Sequence, residues 1–334
     1  MPVIGTEAIT LSDYSRQISS DGKLVNFSKM IDTITESNES LDDVLWLPCN
    51  NGARHITTRL TSKPTGSFRK LNKGIKKSKY TTEQVDAGCA MLEDFFEIDC
   101  ALANLNGNSA TWRFNAEKAF YSGMGETVTK TMFYGSGAKA EEFPGITSQY
   151  NKLNDKLYQV LDAGGQGSDN TSVYLVGWGS ETVHGLYPNG SKAGIQIEDL
   201  GKLVVQDDDG NEFMAYKTHF KWDCGLVVRS PRHVIRIANV DVSDLKTAGD
   251  STDTSCNLLK FMTIATALVP SLTDARFAWY GNNTVLGNLL VKIMDKASNQ
   301  LTIGDYQNRQ NVVKFMSIPV RRNDLLLNTE TRVA

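Results

Sequence analysis

Apolar positions recur at helical spacing most clearly in SATWRFNAEKAFYSGMGETVTKTMFYG (109–135), where Trp112, Ala116, Ala119, Phe120 and Met124 share a face and Ser109 stands at the capping position. The pattern predicts a long helix. Its interior Gly123 and Gly125 each cost about 1 kcal/mol relative to Ala, which leaves room for a break or kink there. Two further helices are predicted, NLLKFMTIATALV (257–269) and NTVLGNLLVKIMDKA (283–297), the second with Asn283 as its cap. Residues 1–48 read as an extended arm with one short helix in SLDDVLWLP (40–48), starting at a Ser cap and ending before Pro48.

Strand signals dominate elsewhere. ARHITTRLTS (53–62) is rich in β-branched residues, and the chain returns through KKSKYTTEQVDAG, which gives a long hairpin with Pro64, Gly66 and Gly74 in its tip. A two-stranded ribbon of this kind is marginal in water and is expected to need a neighbour to lie on. From 171 to 240 the pattern is β again. TSVYLVGWG forms one strand, KLVVQDDDGNEFMAYKTHF a hairpin turning at Asp209 and Gly210, and CGLVVRSPRHVIRIANVDV a strand pair around Pro231. A short strand, RFAWY, separates the two late helices, and VVKFMSIPVRRNDLLLNTE is extended. The sum is an α+β protein without internal repeats or low-complexity tracts.

Charge sharpens the picture of the hairpin. No Asp or Glu occurs between Asp43 and Glu83, while Arg54, Arg59, Lys63, Arg69, Lys70, Lys73, Lys76, Lys77 and Lys79 all fall in that interval. The sign then reverses, with Glu83, Asp86, Glu93, Asp94, Glu97 and Asp99 following and no Lys or Arg among them. The whole chain of 334 residues has a formal net charge of -3 and is 40% hydrophobic, enough for a sizeable core and too acidic for a protein devoted to coating nucleic acid. A local basic role remains: a nucleic-acid patch, a surface for a protein partner, or a solvated hairpin. Phosphate contacts need only cations, but base stacking calls for interleaved aromatics, and residues 50–82 hold only Phe68 and Tyr80.

The cysteines at 49, 89, 100, 224 and 256 are odd in number and scattered, which reads as reduced thiols without a disulfide framework. The amino terminus lacks a signal-peptide core and no apolar run is long enough to span a bilayer, so neither secretion by that route nor membrane insertion is expected.

Candidate chemistry is sparse. VGWGSETVHGLYP offers Ser180 and His184, with Asp199 downstream, but its glycines do not form the Gly-x-Ser-x-Gly elbow that exposes a nucleophile, so a serine hydrolase is the weakest alternative. His219, Cys224 and His233 lack a tight ligand pair and His55 stands alone. QDDDGNEF resembles part of a calcium loop, yet Val205 stands where an acidic ligand should open it. DAGGQGSDN (162–170) reads as a connector, and Glu93 with Asp94 alternates with apolar residues as a strand or helix surface does. No catalytic, metal or cofactor-binding residue is assigned.

Several segments taken together resemble a known family. SFRKLNKG followed by TTEQVDAGCAMLEDFFEID, then a long helix running into MFYGSGAKAEEFPGITSQYN, then a closing VVKFMSIPVRRNDLLLNTET, resemble the major capsid proteins of tailed phages, most closely those of short-tailed enterobacterial phages in the HK97-fold class. The resemblance implies an HK97-like fold: an N-arm at 1–48, a β-hairpin E-loop at 49–83, and part of a P-domain with its spine helix at 84–165. It implies further a β-rich P-domain extension or inserted subdomain at 166–250, and an A-domain with a returning P-domain strand at 251–334. The expected function is then structural: self-assembly into hexamers and pentamers of an icosahedral shell around double-stranded DNA, in a virion assembled in the bacterial cytoplasm. Scaffolding, portal and decoration proteins are implied partners, packaged DNA is touched weakly by the inner surface, and no membrane is involved. The basic ribbon becomes an arm laid across an adjacent subunit, with the acidic 83–99 stretch as receptor. The nucleic-acid-binding hairpin over 54–79 stays as the alternative.

Overall fold

The computed structural model describes residues 40–105, 110–137, 141–153, 159–206, 210–247, 258–294, 301–306 and 309–334. The arm expected over 1–39 lies outside these. At its described end, a 3-10 turn (Ser40–Asp42) leads into β1 (Trp46–Pro48), which replaces the helix expected over 40–48. The local apolar spacing is overridden by a distant partner, because β1 runs parallel to the backbone of Gly185, Leu186 and Tyr187. Next come β2 (Arg54–Ser62), β3 (Thr81–Gly88), β4 (Ala90–Asp99), α1 (Cys100–Leu105) and α2 (Ala110–Tyr134). After α3 (Ile146–Gln149) follow β5 (Val160–Asp162), β6 (Asn170–Trp178), β7 (Val183–Tyr187), β8 (Gln196–Gln206), β9 (Glu212–Val228) and β10 (Val234–Asp241). The chain closes with α4 (Val242–Thr247), α5 (Leu258–Leu268), β11 (Arg276–Gly281), α6 (Asn283–Met294), β12 (Leu301–Tyr306), β13 (Arg309–Phe315) and β14 (Ile318–Arg322).

The described chain divides into two compact units, one of Met91–Val128 and Gly194–Asp223, the other of residues 40–90, Thr129–Ala193 and Cys224–Ala334. The segment 166–250 is therefore shared between them. In the smaller unit β8 and β9 form the antiparallel hairpin predicted from the Asp-Gly signal, in register from Gln196 opposite Lys221 to Gln206 opposite Glu212. Helix α2 packs there through Phe120, whose ring lies 5.3 Å from Phe96 and 6.1 Å from Phe220. Met124 and Val128 are buried one and two turns on, and the helix runs without interruption through Gly123 and Gly125.

The larger unit is built around β6, every residue of which is buried. It runs antiparallel to both β10 and β11, and β14 extends the sheet in parallel with β11. A strand buried on both faces needs covers. Helices α5 and α6 supply one, placing Leu258, Met262, Ala265, Val285 and Leu289 in a single cluster with Val173, Leu175, Ile237, Trp279 and Phe315. On the other face Phe133, from the last turn of α2, meets Tyr174 at 5.3 Å and Tyr280 at 5.7 Å. Two local expectations shift. The cap of α6 is Asn282 rather than Asn283, its Oδ1 accepting the Val285 N–H at 3.0 Å. The strands flanking Pro231 both form, but a 3-10 turn (Pro231–His233) sends β10 to pair with β5 and β6, while β9 pairs with β7 and β8.

Candidate subunit-interface ribbon

Strands β2 and β3 form a sheet of their own, antiparallel from Arg54 opposite Gly88 to Ser62 opposite Thr81. At the root Asn50 acts as a short substitute for a third strand: its Nδ2 donates to the Ile56 carbonyl at 2.7 Å and its Oδ1 accepts from the Ile56 N–H at 2.8 Å. Cys49 Sγ lies 3.3 Å from Cys89 Sγ across the same root. Beyond Ser62 the ladder ends, and residues 63–80 are exposed throughout.

The charged residues separate into groups. Arg54 pairs with Asp86 and Arg59 with Glu83, each at 2.8 Å, within the ribbon itself. These exposed pairs contribute about 0.2–1 kcal/mol each. Lys63, Arg69, Lys70, Lys73, Lys76, Lys77 and Lys79 have no ion-pair partner among the described residues. On β4, Glu93 faces His219 at 3.2 Å and Lys221 at 3.4 Å, and Glu97 pairs with Lys217. Asp94 and Asp99 carry no described cation: Asp94 Oδ1 accepts from its neighbour Phe95 N–H, and Asp99 Oδ1 accepts the Ala101 N–H at the start of α1. Of the acidic stretch read as a receptor, Glu83, Asp86, Glu93 and Glu97 are thus engaged within their own chain.

What charge obscured in the sequence is the apolar content of the tip. Phe68 is 110% exposed, Leu71 91% and Ile75 58%, interleaved with Arg69, Lys70, Lys73 and Lys76. The signal was present as an apolar residue at every third or fourth position of an otherwise basic loop. Burying three such side chains yields on the order of 5–9 kcal/mol, well above what the neighbouring cations could add as exposed pairs.

The remaining candidates resolve into structure. His184 is fully buried on β7, its ring meeting His55 edge-on at 5.4 Å, and Ser180 accepts at its backbone carbonyl from Arg229 Nη1. Asp199 Oδ1 accepts the Gly201 N–H in a bulge of β8, in the other unit. His219 stacks on Phe95 at 4.5 Å, and His233 stacks on Phe277 at 6.0 Å. Among the described residues no group of three or more His, Cys, Asp or Glu is placed to hold a metal, and no described helix is long and apolar enough to cross a membrane.

The segments that carried the family resemblance are the points where distant parts of the larger unit lock together. In MFYG and FPGI, the Gly145 N–H donates to the Gly135 carbonyl at 2.8 Å, and a Cβ on Gly145 would lie 2.6 Å from both Gly135 N and the Thr131 carbonyl oxygen. In SIPVRRNDLLLNTE, Arg321 pairs with Asp43 and Glu330 with Arg236, all buried, while Asn323 donates to Ser40 Oγ at 3.1 Å.

A basic two-stranded ribbon with an exposed apolar tip, a long helix, and a sheet covered on one face by two helices fit an HK97-like capsid subunit. The family model described as major capsid protein GP7 matches residues 21–334, and the chain belongs to that family. Among solved structures, the chain is similar to a subunit in the near-atomic structure of bacteriophage Epsilon15, at 29% identity over 100% of this chain and 99% of that one, with a TM-score of 0.77. The capsid of bacteriophage JBD30 shares the fold at 10% identity, with 89% of this chain and 94% of that one covered and a TM-score of 0.52. No curated protein matches. The protein is a structural subunit of a phage capsid, and it is not an enzyme.

Proposed function

We propose that the ribbon of residues 54–88 is the arm by which one copy of the subunit engages the next in the shell, with Phe68, Leu71 and Ile75 buried against the neighbour and the surrounding cations setting register. One observation carries this reading: among the described residues the ribbon is a two-stranded sheet of its own, and it ends in a tip whose apolar side chains Phe68, Leu71 and Ile75 are exposed. An isolated ribbon is marginal and exposed apolar clusters mark contact surfaces, so a covering partner resolves both problems. Asp94 and Asp99 are the acids of the receptor stretch best placed to meet those cations, since the others are already paired. Repetition around a closed shell multiplies contacts that are individually weak. The domain reading follows the same line: N-arm, E-loop extended to Gly88, a P-domain in the smaller unit and an A-domain in the larger. Hexamers and pentamers, scaffolding, portal and decoration partners, loose contact with packaged DNA and assembly in the host cytoplasm complete the proposal.

The test is Phe68→Ser with Leu71→Ser. The variant should remain soluble and folded by circular dichroism, because neither side chain belongs to a core, and should fail to form shells under electron microscopy. Normal shells from this variant would remove the tip from the interface.

A further inference from the structure

We propose that Cys49 and Cys89 form an oxidisable dithiol at the root of the ribbon, converted to an intrachain disulfide by exchange with a small-molecule disulfide such as oxidised glutathione. Their Sγ atoms are 3.3 Å apart although 40 residues separate them in sequence. A disulfide bond is about 2.05 Å long, so roughly 1.2 Å must be closed, a distance within reach of small rotations at two Cα–Cβ bonds. The backbones carrying them are already fixed. The Cys49 N–H donates to the Tyr187 carbonyl at 2.8 Å, the Cys89 N–H donates to the Ala53 carbonyl at 2.9 Å, and Asn51 and Arg54 exchange backbone hydrogen bonds between them.

The surroundings assign a role to each sulfur. Cys49 is 2% exposed among Ala87, Leu186 and Val227, whereas Cys89 is only half-buried. Cys89 is therefore the thiol a small disulfide can reach. Its thiolate attacks one sulfur of the reagent, giving a mixed disulfide and releasing one small thiolate. The Cys49 thiolate then attacks Cys89 Sγ, forming the Cys49–Cys89 bond and expelling the second small thiolate. The two protons lost by the cysteines end on the two released thiols, and the reagent is the only oxidant consumed. Burial pushes the Cys49 thiol up from its ordinary value, so the second step quickens as pH rises.

The bond would close a ring from 49 to 89 that contains the whole ribbon and its tip. In a reducing cytoplasm the pair stays as thiols, and outside the cell the ribbon gains a covalent root. This holds whatever the tip binds, so its failure is distinguishable from failure of the interface reading.

The experiment uses the full-length chain, purified under reductant, moved into oxidised glutathione, quenched by alkylation and mapped by peptide mass spectrometry. The expected result is a dominant Cys49–Cys89 link forming at least about ten times faster in the native chain than in urea, with thermal stability raised by several degrees. Cys49→Ser should instead hold glutathione on Cys89 as a lasting mixed disulfide, and Cys89→Ser should leave Cys49 unmodified. A wild-type chain that keeps glutathione on Cys89, that links either cysteine to 100, 224 or 256, or that forms the 49–89 link no faster when native than when unfolded, would overturn the proposal.

Discussion

Asp43 and Arg321, 278 residues apart, hold each other in a two-armed ion pair with both side chains 1% exposed: Arg321 Nε donates to Oδ2 at 2.9 Å and Nη2 to Oδ1 at 2.8 Å. Tyr280 adds a third hydrogen bond to the same carboxylate at 3.0 Å. A buried pair of this kind contributes little over a well-packed apolar replacement, yet removing one partner strands a charge. Asp43→Ala should lower stability by about 3–5 kcal/mol. Asp43→Leu combined with Arg321→Met should recover most of that loss. Urea denaturation of the soluble subunit measures both, and a single variant within about 1 kcal/mol of wild type would show that water reaches Arg321.

His184 sets a pH response. Its ring is fully buried and faces His55 edge-on. Burial first, then the neighbouring His55, lower its pKa to about 4, with Arg229 acting in the same direction and Glu181 and the Gly179 backbone opposing. His55 is lowered too, by burial and by Arg229. The unfolded chain binds a proton on residue 184 near pH 6.5 and the native chain does not until about pH 4. The contribution is therefore complete above pH 6.5, falls as pH drops toward 4, and is gone below, with a span on the order of 3 kcal/mol. His184→Leu should flatten the stability curve in that window. The other titrating groups are common to both proteins, so the difference between the curves reports on His184, and parallel curves would refute the assignment.

Glycines at the two ends of α2's story should respond with opposite signs. Gly145→Ala forces a Cβ to within 2.6 Å of backbone atoms of Gly135 and Thr131, a clash that no side-chain rotation relieves. It should cost about 2–3 kcal/mol and lower the yield of folded subunit. Gly123→Ala places a methyl group in open space on a continuous helix and should stabilise by about 0.5–1 kcal/mol. Thermal melts of the two variants decide the matter; a stabilised Gly145→Ala would mean that the backbone around Gly135 and Gly145 can repack.

These contrasts show which parts of the fold the chain displays locally. Helix α2, the β8–β9 hairpin and the ribbon rest on short-range periodicity and turn chemistry, and they were legible. Trp46–Pro48 was misread because a Ser cap and a following Pro48 frame a short apolar stretch as a helix locally, while the strand that claims this backbone lies about 140 residues away, near Gly185. The pairs Asp43–Arg321 and Arg236–Glu330 have no local signature, since each joins residues that only the finished sheet brings together. At the ribbon the charge was legible and its use was not. The internal pairing of Arg54 and Arg59 depends on strand register, and Phe68 and Leu71 are exposed in the loop beyond the end of the ladder at Ser62 and Thr81.

The charge of the tip is open to direct test through Lys73→Glu, Lys76→Glu and Lys77→Glu combined. All three side chains are exposed and none has an ion-pair partner among the described residues, so the subunit should fold and stay soluble. If the cations orient the ribbon against carboxylates such as Asp94 and Asp99 of a neighbour, reversal turns attraction into repulsion, and shell assembly should stall or yield aberrant particles. Raising salt should weaken wild-type assembly in the same direction, because charges are screened over about 10 Å at 0.1 M. The apolar anchors Phe68, Leu71 and Ile75 are insensitive to that screening, so assembly should persist partly at high salt while the Phe68→Ser, Leu71→Ser variant fails at every ionic strength. A nucleic-acid role for the same lysines gives a different pattern: shells form normally and only DNA affinity or packaging falls. Normal shells with normal packaging would leave the lysines as solvated side chains whose sign does not matter to the particle.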